Sequence, residues 1–108
     1  MKPEPNLGAK HDAGKIRAGV VILDFPNALE AVAKVATFGC QKYAPHSWST
    51  VPDGDARYFD AFMRHLLAEA KGEIADKESG LDHFAHVAWN ALALLELHLR
   101  RVNAPKIP

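Results

Sequence analysis

Residues 64–90 read RHLLAEAKGEIADKESGLDHFAHVAWN, and nine of them carry acidic, imidazole or amide side chains of the kind that hold cations. They are His65, Glu69, Glu73, Asp76, Glu78, Asp82, His83, His86 and Asn90. At 3.6 residues per turn, His65, Glu69 and Glu73 stand four apart and fall in one row. Asp82, His86 and Asn90 make a second row, with His83 one turn before His86. This second row cuts through Phe84, Ala85, Val87, Ala88, Trp89, Ala91 and Leu92, where a polar group without a partner costs free energy. The pattern predicts two neighbouring helices whose polar rows face each other.

Outward from this stretch, the flanking sequence continues both helices. Upstream, Phe59, Phe62, Met63, Leu66 and Ala70 supply the core face of a helix from about Asp55 to Lys71, with Gly72 bending or ending it. Downstream, Ser79 is a natural cap for a helix that continues to about Arg101, and Arg100 and Arg101 suit its C-terminal dipole. Between Ala85 and Leu97 this last helix is apolar on nearly every side. Three helices in a chain of 108 residues do not enclose one another, so assembly as a homo-oligomer through the last helix is expected.

An earlier helix should start near Pro26, with Asp24 as its cap and Leu29, Val32, Ala33 and Ala36 as its stripe. Its end falls between Gly39 and Tyr43. Ala44–Gly54 is dense in turn formers and reads as a loop. Val20-Val21-Ile22 has the composition of a strand but no second run to pair with, so an extended segment packed on helices is expected. The expected fold is all-α, a bundle of three main helices with an extended N-terminal arm. Residues 1–13 form the arm, 14–102 a single α-helical domain and 103–108 a tail.

Composition narrows the function class. Apolar residues make up 48% and charged residues 24% of the chain, as in ordinary soluble domains. Lys plus Arg balances Asp plus Glu at 13 each, so no net field draws nucleic acid polymers or anionic membrane. The lone Cys40 has no partner for an internal disulfide and suits a reducing compartment. No apolar run is long enough to span a bilayer. A cytoplasmic protein is expected.

Carboxylates on two adjacent helices suit a hard divalent cation, which takes oxygen ligands, waters and phosphate oxygens. Glu69, Glu73, Asp76 and Asp82 are the oxygen candidates, with His86 beside them. For Glu73, Asp76 and Glu78 the alternative is a solvated helix face, and for Asp82 a role at a helix N-terminus. His83 and His86 have chelate spacing, but the HExxH zinc signature is absent. His65 and His83 are candidates for a general base or for orienting a water. Lys15, Arg17, Lys42 and Arg64 are candidate phosphate contacts, with Gly14 permitting close backbone approach beside Lys15. Tyr43 and Trp48 would either stack on a nucleobase or pin their loop to the core, and Asn90 completes the set. No nucleophile elbow or activated cysteine context is present, so covalent catalysis is not indicated.

Three segments carry a family resemblance. Lys10, Asp12, Gly14, Lys15 and Arg17 fit a KxDxGKxR pattern. GCQKYAPHSW (39–48) fits GxxKYxxxxW, and residues 64–90 fit RHLxAxxxGExxDxESGxxHxxHxxxN. Together, over about residues 10–97, they resemble small phage and prophage proteins described as the N-terminal domain of dATP/dGTP diphosphohydrolases. A more distant likeness is to MazG-like all-α nucleoside triphosphate pyrophosphatases, which hold Mg²⁺ with ExxE and ExxD pairs and assemble as dimers or tetramers. This chain departs from that pattern, since Glu69 and Glu73 are four apart and histidines replace acids on the last helix. It is not an HD-type phosphohydrolase, because Asp82-His83 reverses the order.

The resemblance implies Mg²⁺-dependent hydrolysis of a purine deoxynucleoside triphosphate in the cytoplasm of a phage-infected bacterium, with Mn²⁺ as the alternative cation. Glu69, Glu73 and Asp82 would be ligands, joined by Asp76 or His86. The competing expectation is a phage nucleotide-binding protein without turnover, sequestering a nucleotide or a nucleotide-derived immune signal of the host.

Overall fold

The computed structural model describes residues 9–105. Four α-helices follow in order: α1 (Ala18–Ile22), α2 (Pro26–Lys42), α3 (Gly54–Ala70) and α4 (His83–Asn103), with a 3₁₀ turn at Ser47–Thr50 between α2 and α3. Among the described residues there is no named strand, only an isolated antiparallel bridge between Ala75 and Asp82. The fold is all-α, as expected.

α4 is the central element and packs along both α3 and α2. It runs antiparallel to α3. Asp55 at the start of α3 meets Arg101 near the end of α4 at 2.7 Å, and His65 meets His83 at the opposite end. Between them Tyr58 and Trp48 lie edge-on to Trp89 at 5.4 and 6.3 Å, the offset geometry that aromatic quadrupoles favour. The Tyr58 hydroxyl donates to the Trp48 carbonyl at 2.6 Å. This contact ties the Ala44–Gly54 loop to the α3–α4 seam.

Several boundaries differ from the sequence reading. Val20-Val21-Ile22 lies in the short helix α1, not an extended segment. A lone β-branched run with no partner strand satisfies its backbone locally, and Val21 N–H donates to the Arg17 carbonyl at 3.0 Å. Phe25 rather than Asp24 occupies the N-cap of α2, and Pro26 opens that helix. Ser79 does not cap α4; Asp82 holds that position without a side-chain cap bond, and the Ser79 hydroxyl instead accepts the Leu81 N–H at 3.1 Å and lies 2.7 Å from His86 Nε2.

α3 stops where Gly72 takes φ +91°. Gly72 N–H donates to the Glu69 carbonyl at 2.9 Å and Glu73 N–H to the Ala68 carbonyl at 3.0 Å, the paired bonds of a Schellman ending. Glu73 is thereby turned off the helix axis. Of the proposed arm only residues 9–13 are described, and the C-terminal tail is described only to Pro105.

Burial is thin. Among the described residues Val35, Ala85 and Ala93 are the buried apolar ones, matched by three buried polar ones, His83, His86 and Asn90. The radius of gyration is 19.3 Å, against about 13 Å for a compact domain of this length. Every residue from Ala9 to Glu30 is exposed. On α4, Phe84, Leu92, Leu95, Leu99 and Val102 form one outward stripe with exposures between 42% and 64%.

Candidate metal centre

The loop between α3 and α4 is built to place one carboxylate. Asp76 N–H donates to the Leu81 carbonyl and Gly80 N–H to the Asp76 carbonyl, both at 2.8 Å, with Gly80 at φ +73° closing the turn. Within that turn the Asp76 carboxylate accepts the Ser79 N–H at 2.8 Å. His83 N–H donates to the Ile74 carbonyl at 2.8 Å, so the first residue of α4 is anchored to the same loop.

Three histidines meet this carboxylate. His65 on α3 and His83 on α4 approach Nδ1 to Nδ1 at 2.8 Å. His65 also stacks on His86, with centroids 4.2 Å apart and planes 7° from parallel. His86 Nε2 lies 2.7 Å from the Ser79 hydroxyl and 3.9 Å from Asp76. Ligand atoms of His65, Asp76 and His83 all fall within 4.8 Å of one another, the spacing of a group that could gather around one cation.

Glu73 closes the group from outside. Its carboxylate lies 3.3 Å from His83 Nε2 but away from the hydrogen-bonding direction, and that buried nitrogen has no hydrogen-bond partner. Burial pushes His65 and His86 below the ordinary imidazole pKa, against the pull of Asp76. Burial alone would raise Asp76, yet its bonds from Ser79 and the nearby His86 outweigh this and hold it below the usual carboxylate value. Burial therefore favours the uncharged, lone-pair-bearing form of His65 and His86 beside the Asp76 carboxylate.

A family model described as dATP/dGTP diphosphohydrolase, N-terminal, matches residues 5–106. The chain belongs to this family. A dATP/dGTP diphosphohydrolase of Salmonella phage PMBT28 is 40% identical over 81 residues, which is 75% of this chain and 26% of that protein. The match therefore spans about a quarter of the relative's length. No solved structure matches the chain.

For this family member, the two polar rows of the sequence meet only in part. Of the expected metal ligands, Asp76 and His86 join the cluster and Glu73 flanks it. Glu69 is half-buried, and Asp82 is exposed at the N-cap of α4. Ser79, which holds both Asp76 and His86, was expected as a helix cap; an Asp three residues before it, a residue type that bonds nearby backbone in turns, is the signal for its actual place. Asn90 is buried and donates to the His86 carbonyl at 2.8 Å, so its amide braces α4.

The expected phosphate contacts are dispersed. Lys42 pairs with Glu78 and lies 5.6 Å from the centre of the exposed Tyr43 ring, while Arg64 is exposed beside His65. Lys15 and Arg17 line a hollow of about 580 Å³ formed by residues 12–20 alone. Trp48 packs against Trp89 and lies 5.2 Å from the Arg100 guanidinium, which pins its loop to the helices. A second groove of about 330 Å³ borders the cluster through Ser79, with Phe38, Thr37, Lys34 and Gln41 of α2 on its other side; none of these four was a sequence candidate.

The donor set matters for the expected Mg²⁺. That ion prefers an octahedron of oxygens and keeps several waters, whereas imidazole nitrogens outnumber the carboxylate here. The residues present suit a divalent ion that accepts nitrogen. Among the described residues no helix is long and apolar enough to cross a membrane.

Proposed function

We propose that this chain takes part in hydrolysing a purine deoxynucleoside triphosphate at the His65–Asp76–His83–His86 cluster. The observation that carries the reading is the meeting of three imidazoles and one carboxylate at the α3–α4 seam, in a family and beside a relative described as dATP/dGTP diphosphohydrolases. Unprotonated imidazoles accept a proton from an attacking water or coordinate a cation, and the cluster has enough of them for both. When bound, a divalent cation would polarise a phosphoryl oxygen and acidify a coordinated water. Mg²⁺ would arrive on the triphosphate, whose oxygens it prefers.

The polyphosphate would extend from the cluster toward Lys42 and Arg64, the cations that flank it. The base would lie toward Tyr43 or in the groove beside Phe38. Lys15 and Arg17 would join the phosphates only when their segment is placed over the site by a neighbouring copy. A homo-oligomer through the outward α4 stripe is part of this proposal. Its five large apolar side chains and those of α1 together offer several hundred Å², the scale of the roughly 800 Å² per partner in a standard interface.

The test is incubation of the purified chain with dATP, dGTP and their pyrimidine counterparts, with Mg²⁺ and separately with Mn²⁺, followed by phosphorus NMR. Release of phosphate or pyrophosphate from the purine nucleotides, lost in Asp76→Asn, is the expected result. Saturable nucleotide binding with no release under any cation would overturn the hydrolytic reading in favour of sequestration.

A further inference from the structure

We infer that the cluster is a binding site for a nitrogen-accepting transition-metal ion, such as Co²⁺, Ni²⁺ or Zn²⁺, held by His65 Nδ1, His83 Nδ1 and Asp76, with Glu73 as the positioning group behind His83. This deepens the proposed function by naming the class of resident cation, and rests on that reading only for its catalytic purpose.

Geometry is the first argument. With metal–nitrogen bonds of about 2.0–2.1 Å, two ligands at right angles on one ion lie about 2.8–3.0 Å apart. The two Nδ1 atoms stand 2.8 Å apart. A ligand oxygen of Asp76 lies within 4.8 Å of a ring nitrogen of each histidine; opposite ligands on such an ion stand about 4.0–4.2 Å apart, so a small inward closure of the carboxylate brings all three onto one ion. Without a cation, one Nδ1 must carry a proton and donate it to the other; a cation replaces that proton and uses both lone pairs.

His83 Nε2 is the second and independent argument. His83 is 4% exposed, and its Nε2 has no hydrogen-bond partner, an expensive state for a buried polar atom. Coordination through Nδ1 puts the ring proton on Nε2, and the Glu73 carboxylate, already 3.3 Å away, accepts it once reoriented into line. A carboxylate behind a metal-bound histidine fixes the ring's tautomer and orientation. The Gly72 turn that swings Glu73 off the α3 axis thus serves the site. His86 and Ser79 hold Asp76 from the other side.

Ligand softness is the third argument. Imidazole suits zinc, copper, iron and nickel, while carbonyl, carboxylate and water suit magnesium, calcium and manganese. Two imidazoles and one carboxylate leave further positions for water or a phosphate oxygen.

Titration of the metal-depleted full chain with Co²⁺, Zn²⁺, Mn²⁺ and Mg²⁺ tests this by calorimetry and, for Co²⁺, by visible absorption. One equivalent of Co²⁺ should produce d–d bands that Zn²⁺ abolishes and excess Mg²⁺ does not. Glu73→Gln should weaken Zn²⁺ binding roughly 10–100-fold, and His65→Gln should eliminate the Co²⁺ bands. Should those variants fail to fold, imidazole ¹⁵N spectra of the wild-type chain decide: Zn²⁺ should shift Nδ1, not Nε2, of His65 and His83. Featureless Co²⁺ spectra with no heat from any transition ion would overturn the inference, as would competition by Mg²⁺ at equal concentration. Nucleotide hydrolysis with Mg²⁺ alone would survive that result, and metal binding would survive a failure of hydrolysis, so the two readings fail separately.

Discussion

His65 and His83, eighteen positions apart in the chain, place Nδ1 against Nδ1 at 2.8 Å. Such a contact joins α3 to α4 at the end where their connecting loop turns. One residue of that loop, Asp76, supplies the nearby charge. The opposite end of the same helix pair is joined by the exposed Asp55–Arg101 pair, which in solvent contributes at most about 1 kcal/mol. The candidate metal centre and the turn that joins α3 to α4 therefore share one end of the helix pair.

Gly72→Ala should destabilise the chain. No atom lies within 4 Å of the position a Cβ would take, so the cost is conformational: φ +91° is left-handed backbone, disfavoured by about 1–2 kcal/mol for other residues. Urea denaturation should show that loss, and transition-metal affinity should fall with it as Glu73 loses its aim. Unchanged stability would show that the α3 ending relaxes freely.

Metal-free protein should lose stability as pH falls from neutrality. Burial holds His65 and His86 below the ordinary imidazole pKa, so the unfolded chain takes up protons first, beginning near its own value of about 6.5. Below that point the unfolded state binds more protons, and stability drops with pH until the folded histidines also protonate. Asp76, itself held low, stays ionised through this range and begins to cost stability only in the carboxylate range. Thermal melts in chelator at about pH 7.5 and about pH 5.5 should show the lower midpoint in acid. The difference should shrink in the His65→Gln/His86→Gln double variant.

Tyr58→Phe removes the hydroxyl that donates to the Trp48 carbonyl at 2.6 Å while leaving the ring on Trp89. The expected loss is about 1 kcal/mol, read by tryptophan fluorescence in denaturant, with metal binding unaltered. A parallel loss of metal affinity would mean that the aromatic contacts and the cluster are coupled.

Leu95→Glu introduces a charge into the centre of the outward α4 stripe, at a residue 53% exposed in the protomer. If that stripe joins two copies, light scattering after size exclusion should find a dimer or larger for the wild type and a smaller species for the variant. A monomeric wild type at micromolar concentration would remove the oligomer from the proposal.

Much of this protein was written locally. The period of Leu29, Val32, Ala33 and Ala36, the run through Phe59, Phe62 and Leu66, and the long apolar stretch after His83 specify three helices without reference to one another. Gly72 marks the end of α3 because few other residues tolerate its φ. His65, His83, His86 and Asp76 were legible as donors, since polar groups inside apolar helical sequence need partners. Their partners were not legible. Glu69 and Asp82 share helical rows with cluster members, yet Asp82 ends exposed and Glu69 only half-buried. Glu73 instead reaches His83 after its helix has ended.

The reason is geometric. Helical periodicity assigns a residue to a face, and that is a property of adjacent peptide units. Distance between side chains on two helices depends on how the connecting loop turns and how deeply the helices seat. Here Gly72 and Gly80 at positive φ and the Asp76–Ser79 turn decide both. The amino-acid order alone determined the helices and the stock of donor groups; the tertiary arrangement chose three imidazoles and one carboxylate from that stock.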